Sequence, residues 1–128
     1  MTRRAKMYKQ VSVSTASPGE LIIMLFTGLV RFVRTAQRAQ QANLHHDTAI
    51  AIDRAVAILE HLRESLNWSV GGDVASALDT TYAAWMGVLV KANLERDPTR
   101  LEAVAEQMTK FAETWRAVQQ HQQLALGA

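Results

Sequence analysis

The histidines are the side chains of this chain that come nearest to a known reaction. His61 lies in the middle of a predicted helix, in the run Glu60-His61-Leu62-Arg63-Glu64. A small helical bundle with one exposed histidine is the form used for histidine phosphotransfer. However, Glu60 and Glu64 would repel an incoming phosphoryl group, and the Lys and Gly that usually follow such a histidine one turn later are absent. A phosphotransfer-type bundle therefore stays an alternative and is not the favoured interpretation.

Metal chemistry has less support. Helical bundles that hold two iron ions carry Glu-x-x-His motifs, and no Glu of this chain has a His three residues later. The cluster His45-His46-Asp47 has metal-binding side chains, but no second cluster accompanies it. The chain has no cysteine, so disulfides and thiolate metal sites are excluded. We therefore predict no metal, no cofactor and no enzymatic activity.

The start of the first helix is marked by three residues. Ser17 is suited to cap the helix, Pro18 suits the first helical position, and Glu20 stands three residues after the cap. Together they form a capping box with a proline at its start. The residues before Ser17 are therefore predicted to lie outside the helix.

Four segments with helical periodicity follow from this point. They are predicted to run from 18 to 42, from Asp47 to just before Gly71, from Asp73 onward, and from Asp97-Pro98 onward. Four amphipathic helices with short connections favour an all-α fold, an antiparallel up-down four-helix bundle. We predict an extended or short-helical arm over residues 1–16 and a bundle over residues 17–128.

Positive charge is concentrated near the start of the chain. Residues 1–40 hold seven basic side chains and one acidic one, whereas residues 41–128 hold seven basic and eleven acidic ones. No aromatic residues are interleaved among the basic residues of the first helix, so solvated faces are favoured over nucleic-acid binding. The apolar run 21–30 is too short to cross a bilayer as a helix, and no cleavage pattern follows it. These features predict a cytoplasmic protein without membrane insertion.

The helices carry more large apolar side chains than one stripe per helix requires. The predicted stripe of the first helix consists of Leu21, Leu25, Gly28, Leu29, Phe32, Ala36 and Ala39. Off the predicted stripes lie Ile22, Phe26, Ile58, Met86 and Val90. Two interpretations stay open at this point. The extra residues either widen the buried face of each helix or form a second groove that accepts amphipathic helices of another protein.

The run T-A-S-P-G-E-L-I-I-M-L-F, residues 15–26, resembles the opening of the flagellin-specific export chaperones of bacterial flagella, the FliS family. The resemblance extends from Tyr8 to Val118 and includes the segment Y-A-A-W-M, residues 82–86. It implies a cytoplasmic, non-enzymatic chaperone that binds the C-terminal segment of flagellin, prevents its premature polymerisation and keeps it export-competent. It leaves open a homodimer of the free protein, contacts with the export gate or regulators, and a generic adaptor bundle for another secretion client.

The resemblance also implies an N-terminal segment that covers part of the client groove. We predict Tyr8, Val11 and Val13 as this latch. The candidate groove residues are the off-stripe set, Ile22, Phe26, Ile58, Met86 and Val90. The chain departs from the family pattern at Ala5, where the first of two tyrosines is common, and Phe26 replaces a frequent tyrosine.

Overall fold

The computed structural model describes residues 18–69 and 72–127, and this part of the chain folds into four α-helices. These are α1 (Pro18–Gln41), α2 (His45–Glu64), α3 (Gly72–Glu95) and α4 (Pro98–Gly127). Each helix packs against the next one along the chain, and α4 also packs against α1. Successive helices are antiparallel because their connections are short. The predicted all-α, up-down four-helix bundle is confirmed, whereas the predicted arm lies outside the described residues.

Two turns at the same end of the bundle contain a residue in the left-handed conformation. Asn43 has φ = 58°, and the next N–H, that of Leu44, donates to the Ala39 carbonyl over 2.8 Å. Arg96 has φ = 55°, and the N–H that follows it donates to the Ala92 carbonyl over 3.2 Å. Both bonds reach back five residues, as in Schellman caps. They satisfy carbonyls at the ends of α1 and α3 and reverse the chain within a few residues.

Two predicted helix caps are wrong. α2 begins at His45 after Leu44, which makes no side-chain capping bond, so Asp47 lies in the first turn. α3 begins at Gly72, so Asp73 also lies in a first turn. The main-chain bond that closes the α1–α2 turn lets α2 begin directly after it. Both carboxylates still lie where the helix dipole favours negative charge.

The predicted start of α4 is confirmed. The Asp97 carboxylate accepts a hydrogen bond from the Thr99 N–H over 3.0 Å, and Pro98 is the first helical residue. The hydrogen bond from the Thr99 hydroxyl is the main cause that lowers the pKa of Asp97. Arg100 pairs with Glu95 over 3.1 Å and with Asp97 over 3.5 Å. These bonds tie the end of α3 to the first turn of α4.

The face that α1 buries differs from the predicted stripe. Phe26 and Val33 are fully buried, whereas Leu25 and Phe32 are only partly buried. Because α1 packs against both α2 and α4, its buried arc is wide: it keeps Leu29, Ala36 and Ala39 of the predicted stripe and is rotated toward Phe26 and Val33. The first of the two open interpretations therefore holds for Phe26, which belongs to the core.

The core is one continuous apolar cluster that all four helices supply. Its aromatic part contains Phe26, which stacks on Phe111 at a centroid distance of 5.1 Å, and Trp85, whose ring meets Phe111 edge-on at 5.7 Å. The Trp85 Nε1–H donates to Gln107 Oε1 over 3.2 Å, so the buried indole keeps its hydrogen bond. The remaining side chains with no exposed surface are Leu29, Val33, Ala36, Ala55, Leu59, Leu89, Ala92, Leu101, Ala105 and Met108.

Polar pairs join neighbouring helices at the edges of this core. Arg34 on α1 pairs with Glu102 on α4 over 2.8 Å, and Gln37 donates to the same carboxylate. The hydrogen bond from Gln37 is the main cause that lowers the pKa of Glu102, followed by that from Arg34. Arg63 on α2 pairs with Asp79 on α3 over 2.7 Å. These pairs are partly exposed, so they favour the helix register more than they stabilise the fold.

Candidate functional site

One face of α3 presents apolar side chains to solvent. Val90 is 50% exposed and Leu94 is 77% exposed, although the surrounding helix is well packed on its inner side. With Ala83, Met86 and Gly87 these residues recur every three or four positions, so they lie on one side of the helix. We call this set the outer stripe. Its apolar composition and helical spacing suit it to pack against another amphipathic helix.

A second apolar surface lies at the end of the bundle where α1 and α3 begin and α2 and α4 end. This basal cleft has a volume of about 290 Å³. Burial raises the pKa of Tyr82, which lines the cleft, to about 12, so its phenol stays neutral near pH 7. The residues that line the cleft are Ile22, Leu62, Ser65, Leu66, Asn67, Val74, Ala75, Leu78, Tyr82 and Trp115.

Trp115 fixes the first turn of α1 beside the basal cleft. Its Nε1–H donates to the Gly19 carbonyl over 3.3 Å. A Cβ at Gly19 would lie 1.9 Å from Gln119 Oε1, so the amide end of this α4 side chain lies directly against the glycine. The point at which residues 1–17 join the bundle is therefore held against α4.

The candidate groove residues do not all lie on one surface. Ile22 lines the basal cleft, and Met86 and Val90 belong to the outer stripe. Phe26 is fully buried in the core. Ile58 is partly buried between α1 and α2, where its Cδ1 would lie 3.3 Å from a Cβ at Gly28. The outer stripe and basal cleft therefore contain three of the five candidates.

The predicted latch residues, Tyr8, Val11 and Val13, lie outside the described residues. The structure adds exposed apolar residues that periodicity missed. Val74 is 65% exposed, and Leu94, which is 77% exposed, has no place in the predicted groove. The sequence does indicate that Leu94 belongs to the same face, because it continues the spacing of Met86 and Val90 along α3.

The side chains considered for chemistry are not assembled into a reactive site. His61 is exposed on α2, and His45 and His46 are exposed at its start. Within residues 18–69 and 72–127, no group of three or more His, Asp or Glu side chains is placed to hold a metal ion. In the same part of the chain, no helix is both long enough and apolar enough to cross a membrane.

Comparison with known proteins gives a consistent result. The sequence model of the family described as flagellar protein FliS matches residues 1–122. The chain is 30% identical to the flagellar secretion chaperone FliS of Bacillus subtilis over 109 residues, which covers 85% of this chain and 80% of that protein. It is 32% identical to the flagellar secretion chaperone FliSB of Pseudomonas aeruginosa over 114 residues, covering 86% of this chain and 90% of the relative. The corresponding FliS of Salmonella typhimurium is 32% identical over 119 residues, covering 88% and 87%.

The chain belongs to the FliS family of flagellar secretion chaperones. The predicted family is thereby confirmed. A chaperone of the FliS family acts by binding and is not an enzyme, which agrees with the predicted absence of enzymatic activity. Within this FliS-family chain, the signature run 15–26 extends into α1 and contributes Ile22 to the basal cleft and Phe26 to the core.

Proposed function

We propose that this protein binds the C-terminal segment of flagellin in the cytoplasm, prevents its premature polymerisation and keeps it competent for export. Membership of the FliS family supports flagellin as the client, since the related proteins are named flagellar secretion chaperones. The single structural observation that carries the proposal is the outer stripe, because a binding protein for helical segments needs an apolar face that its own fold leaves open.

The outer stripe is proposed as the main client contact. Val90 and Leu94 lie one turn apart and are at least half exposed, so a bound helix would remove apolar area from water at about 25 cal/mol per Å². Met86 extends the stripe toward α2, where its sulfur lies 4.0 Å from Arg63 Nη1. An amphipathic flagellin helix with apolar residues three and four positions apart would match this spacing. Such coupled folding and binding offsets the ordering cost of a disordered client with an extensive interface.

Residues 1–16 are proposed to act as a latch over the same surface. The arm joins α1 at Pro18, one turn before Ile22 of the basal cleft. Tyr8 is ten residues before Pro18, a distance of about 33 Å if the chain is extended. Val90 is 18 residues beyond the start of α3, about 27 Å along the helix. An arm of this length covers the distance to the basal cleft and extends toward the outer stripe, and Tyr8, Val11 and Val13 would cover apolar surface until the client displaces them.

Co-purification with flagellin tests the proposal. Full-length flagellin should bind. Flagellin that lacks its last ~40 residues, a length of roughly three average helices, should not bind. Val90→Asp should weaken binding by about tenfold or more because it places a charge in an apolar contact. Val118→Asp is the matched control, since Val118 is 45% exposed on α4, away from the outer stripe.

Equal binding of the two flagellin forms would contradict the proposal. Binding of a different secretion client, with no binding of flagellin, would favour the generic adaptor. Val90→Asp must also retain the unfolding midpoint of the unaltered protein, so that its loss of binding is attributed to the surface and not to the fold.

A further inference from the structure

A larger cleft lies between α1 and α2, toward the end of the bundle opposite the basal cleft. This distal cleft has a volume of about 460 Å³, within the range of sites that bind a ligand or a protruding side chain. Ile50 is 39% exposed in it and Leu44 is 50% exposed. It has no part in the proposed client surface. The lining residues are Phe32, Thr35, Arg38, Ala39, Leu44, Asp47, Ile50, Ala51 and Arg54.

The cationic side chains around the distal cleft have no carboxylate partner within the part of the chain that the structure describes. The guanidinium carbons of Arg31 and Arg54 lie 5.3 and 5.8 Å from the centre of the Phe32 ring. Arg38 donates to the Thr35 hydroxyl over 3.3 Å. Among the residues that the structure describes, none of these three arginines has a carboxylate within 4.0 Å. One acidic side chain, Asp47, also lines the cleft.

Other arginines between helices are paired differently. Arg34 on the α4 side of α1 has Glu102 at 2.8 Å, and Arg63 has Asp79 at 2.7 Å. The arginines of the distal cleft therefore keep their hydrogen-bonding capacity for groups outside the fold. A guanidinium binds a carboxylate through two parallel hydrogen bonds, and such pairs add electrostatic steering to an apolar contact.

The positive charge of the arginines around this cleft favours some possible binding partners over others. The chain's own arm carries Arg3, Arg4, Lys6 and Lys9 with no acidic residue before Glu20, so like charges oppose its binding. A second copy placed face to face would bring the same arginines together, which is also unfavourable. An acidic segment of another protein would not be repelled by these arginines, unlike the basic arm or a second copy.

We propose that the distal cleft docks an acidic amphipathic helix of a partner protein other than the client. A large apolar side chain of that helix would enter between Phe32, Leu44 and Ile50, and its flanking carboxylates would pair with Arg38 and Arg54. Because this cleft and the outer stripe involve different helix faces, the chaperone binds the partner and the client together. The inference does not depend on the identity of the client.

Fluorescence anisotropy with a designed probe tests the inference. The probe is a labelled helical peptide of about 18 residues, five turns long, with Leu and Trp on one face and Glu beside them. A matched peptide carries Lys in place of each Glu. We expect the Glu peptide to bind the full chain about tenfold or more tightly than the Lys peptide.

Charge-reversal variants assign the binding to the cleft. Arg38→Glu combined with Arg54→Glu should weaken Glu-peptide binding about tenfold or more, and Ile50→Ser should weaken it without reversing charge. The control, Lys110→Glu combined with Arg116→Glu, makes the same change in net charge on exposed positions of α4. Flagellin binding should be unchanged in the cleft variant, whereas Val90→Asp should impair it and leave the Glu peptide bound.

Three results would overturn the inference. The first is equal binding of the two peptides, or no binding of either. The second is displacement of the Glu peptide by the C-terminal flagellin segment, which would make the cleft part of the client site. The third is a dimer in sedimentation velocity that Ile50→Ser abolishes, which would assign the cleft to a second copy of the chain.

Discussion

Phe26 is the side chain through which α1 contacts the aromatic groups of both α3 and α4. Its ring centre lies 6.2 Å from that of Tyr82, 6.2 Å from that of Trp85 and 5.1 Å from that of Phe111. The ring has no exposed surface. A client could touch it only after α1 moved away from its neighbours, so its principal role in the closed bundle is to stabilise the core.

We expect Phe26→Ala to lower the free energy of unfolding by about 3–5 kcal/mol, because it removes a fully buried ring and leaves a cavity. Val90→Ala should change it by no more than about 0.5 kcal/mol, since half of that side chain is already in water. Urea denaturation of the two variants measures the difference. If Phe26→Ala kept its stability but lost flagellin binding, Phe26 would be a client contact and not a core residue.

The glycines Gly28 in α1 and Gly87 in α3 lie in different environments. In α1, a Cβ at Gly28 would lie 3.3 Å from Ile58 Cδ1, so a side chain of α2 approaches the position. The glycine thus accommodates a close side chain, which differs from the backbone approach that a glycine inside a helix often marks. In α3, a Cβ at Gly87 would meet nothing within 4 Å. Packing therefore explains why glycine occupies position 28 in α1, whereas, among the described residues, no contact within α3 or its neighbours explains Gly87.

Gly87→Ala should stabilise the protein by about 0.5–1 kcal/mol, because alanine gains helix propensity without a steric cost. Gly28→Ala should gain less, since the Ile58 methyl must shift to accept the new Cβ. Thermal or urea unfolding of both variants measures the comparison. A larger gain for Gly28→Ala would mean that Ile58 does not pack closely on α1.

The sequence predicts a helix end correctly where the local chemistry of one or two residues determines it. Asp97-Pro98 starts α4 as predicted, since its cap and its fixed φ act locally. Asp47 failed as a cap because α2 starts directly after the main-chain bond that closes the preceding turn. In such a turn the backbone, which periodicity does not describe, sets the boundary.

The candidate site was only partly predictable for a related reason. Ile22, Phe26 and Val33 are all apolar and off the predicted stripe of α1, but only Ile22 lies at a cleft. An apolar pattern shows which residues avoid water, not which ones the neighbouring helices cover. The distal cleft was missed because its residues come from two helices whose mutual rotation the sequence does not fix.

At the distal end of the bundle, a hydrogen bond joins two diagonally opposed helices. There the Gln40 Nε2 donates across the core to the Ala92 carbonyl over 3.0 Å, which ties α1 to α3 diagonally. At the basal end the α2–α3 connection is longer, and the exposed Trp68 and Val74 lie in or next to it. A client or latch that binds the basal cleft can therefore be accommodated there without breaking the diagonal contact between α1 and α3.

Removing part of the N-terminal arm tests whether the arm acts as a latch and whether the bundle is stable without it. Removal of residues 1–12 should leave the thermal unfolding midpoint nearly unchanged, because among the described residues all four helices supply a continuous core cluster. It should speed association with the flagellin C-terminal segment, by about tenfold if the latch covers the site nine-tenths of the time. Stopped-flow fluorescence and thermal unfolding measure the two effects on the same protein.

A full-length variant with Tyr8, Val11 and Val13 replaced by Ser separates a latch from electrostatic steering. It keeps the basic residues of the arm, so faster association in both proteins identifies the apolar contacts as the cause. Slower association in the truncated protein alone would instead assign the arm a steering role. A large loss of thermal stability in either variant would show that the arm is part of the core, and the boundary at residue 17 would then be wrong.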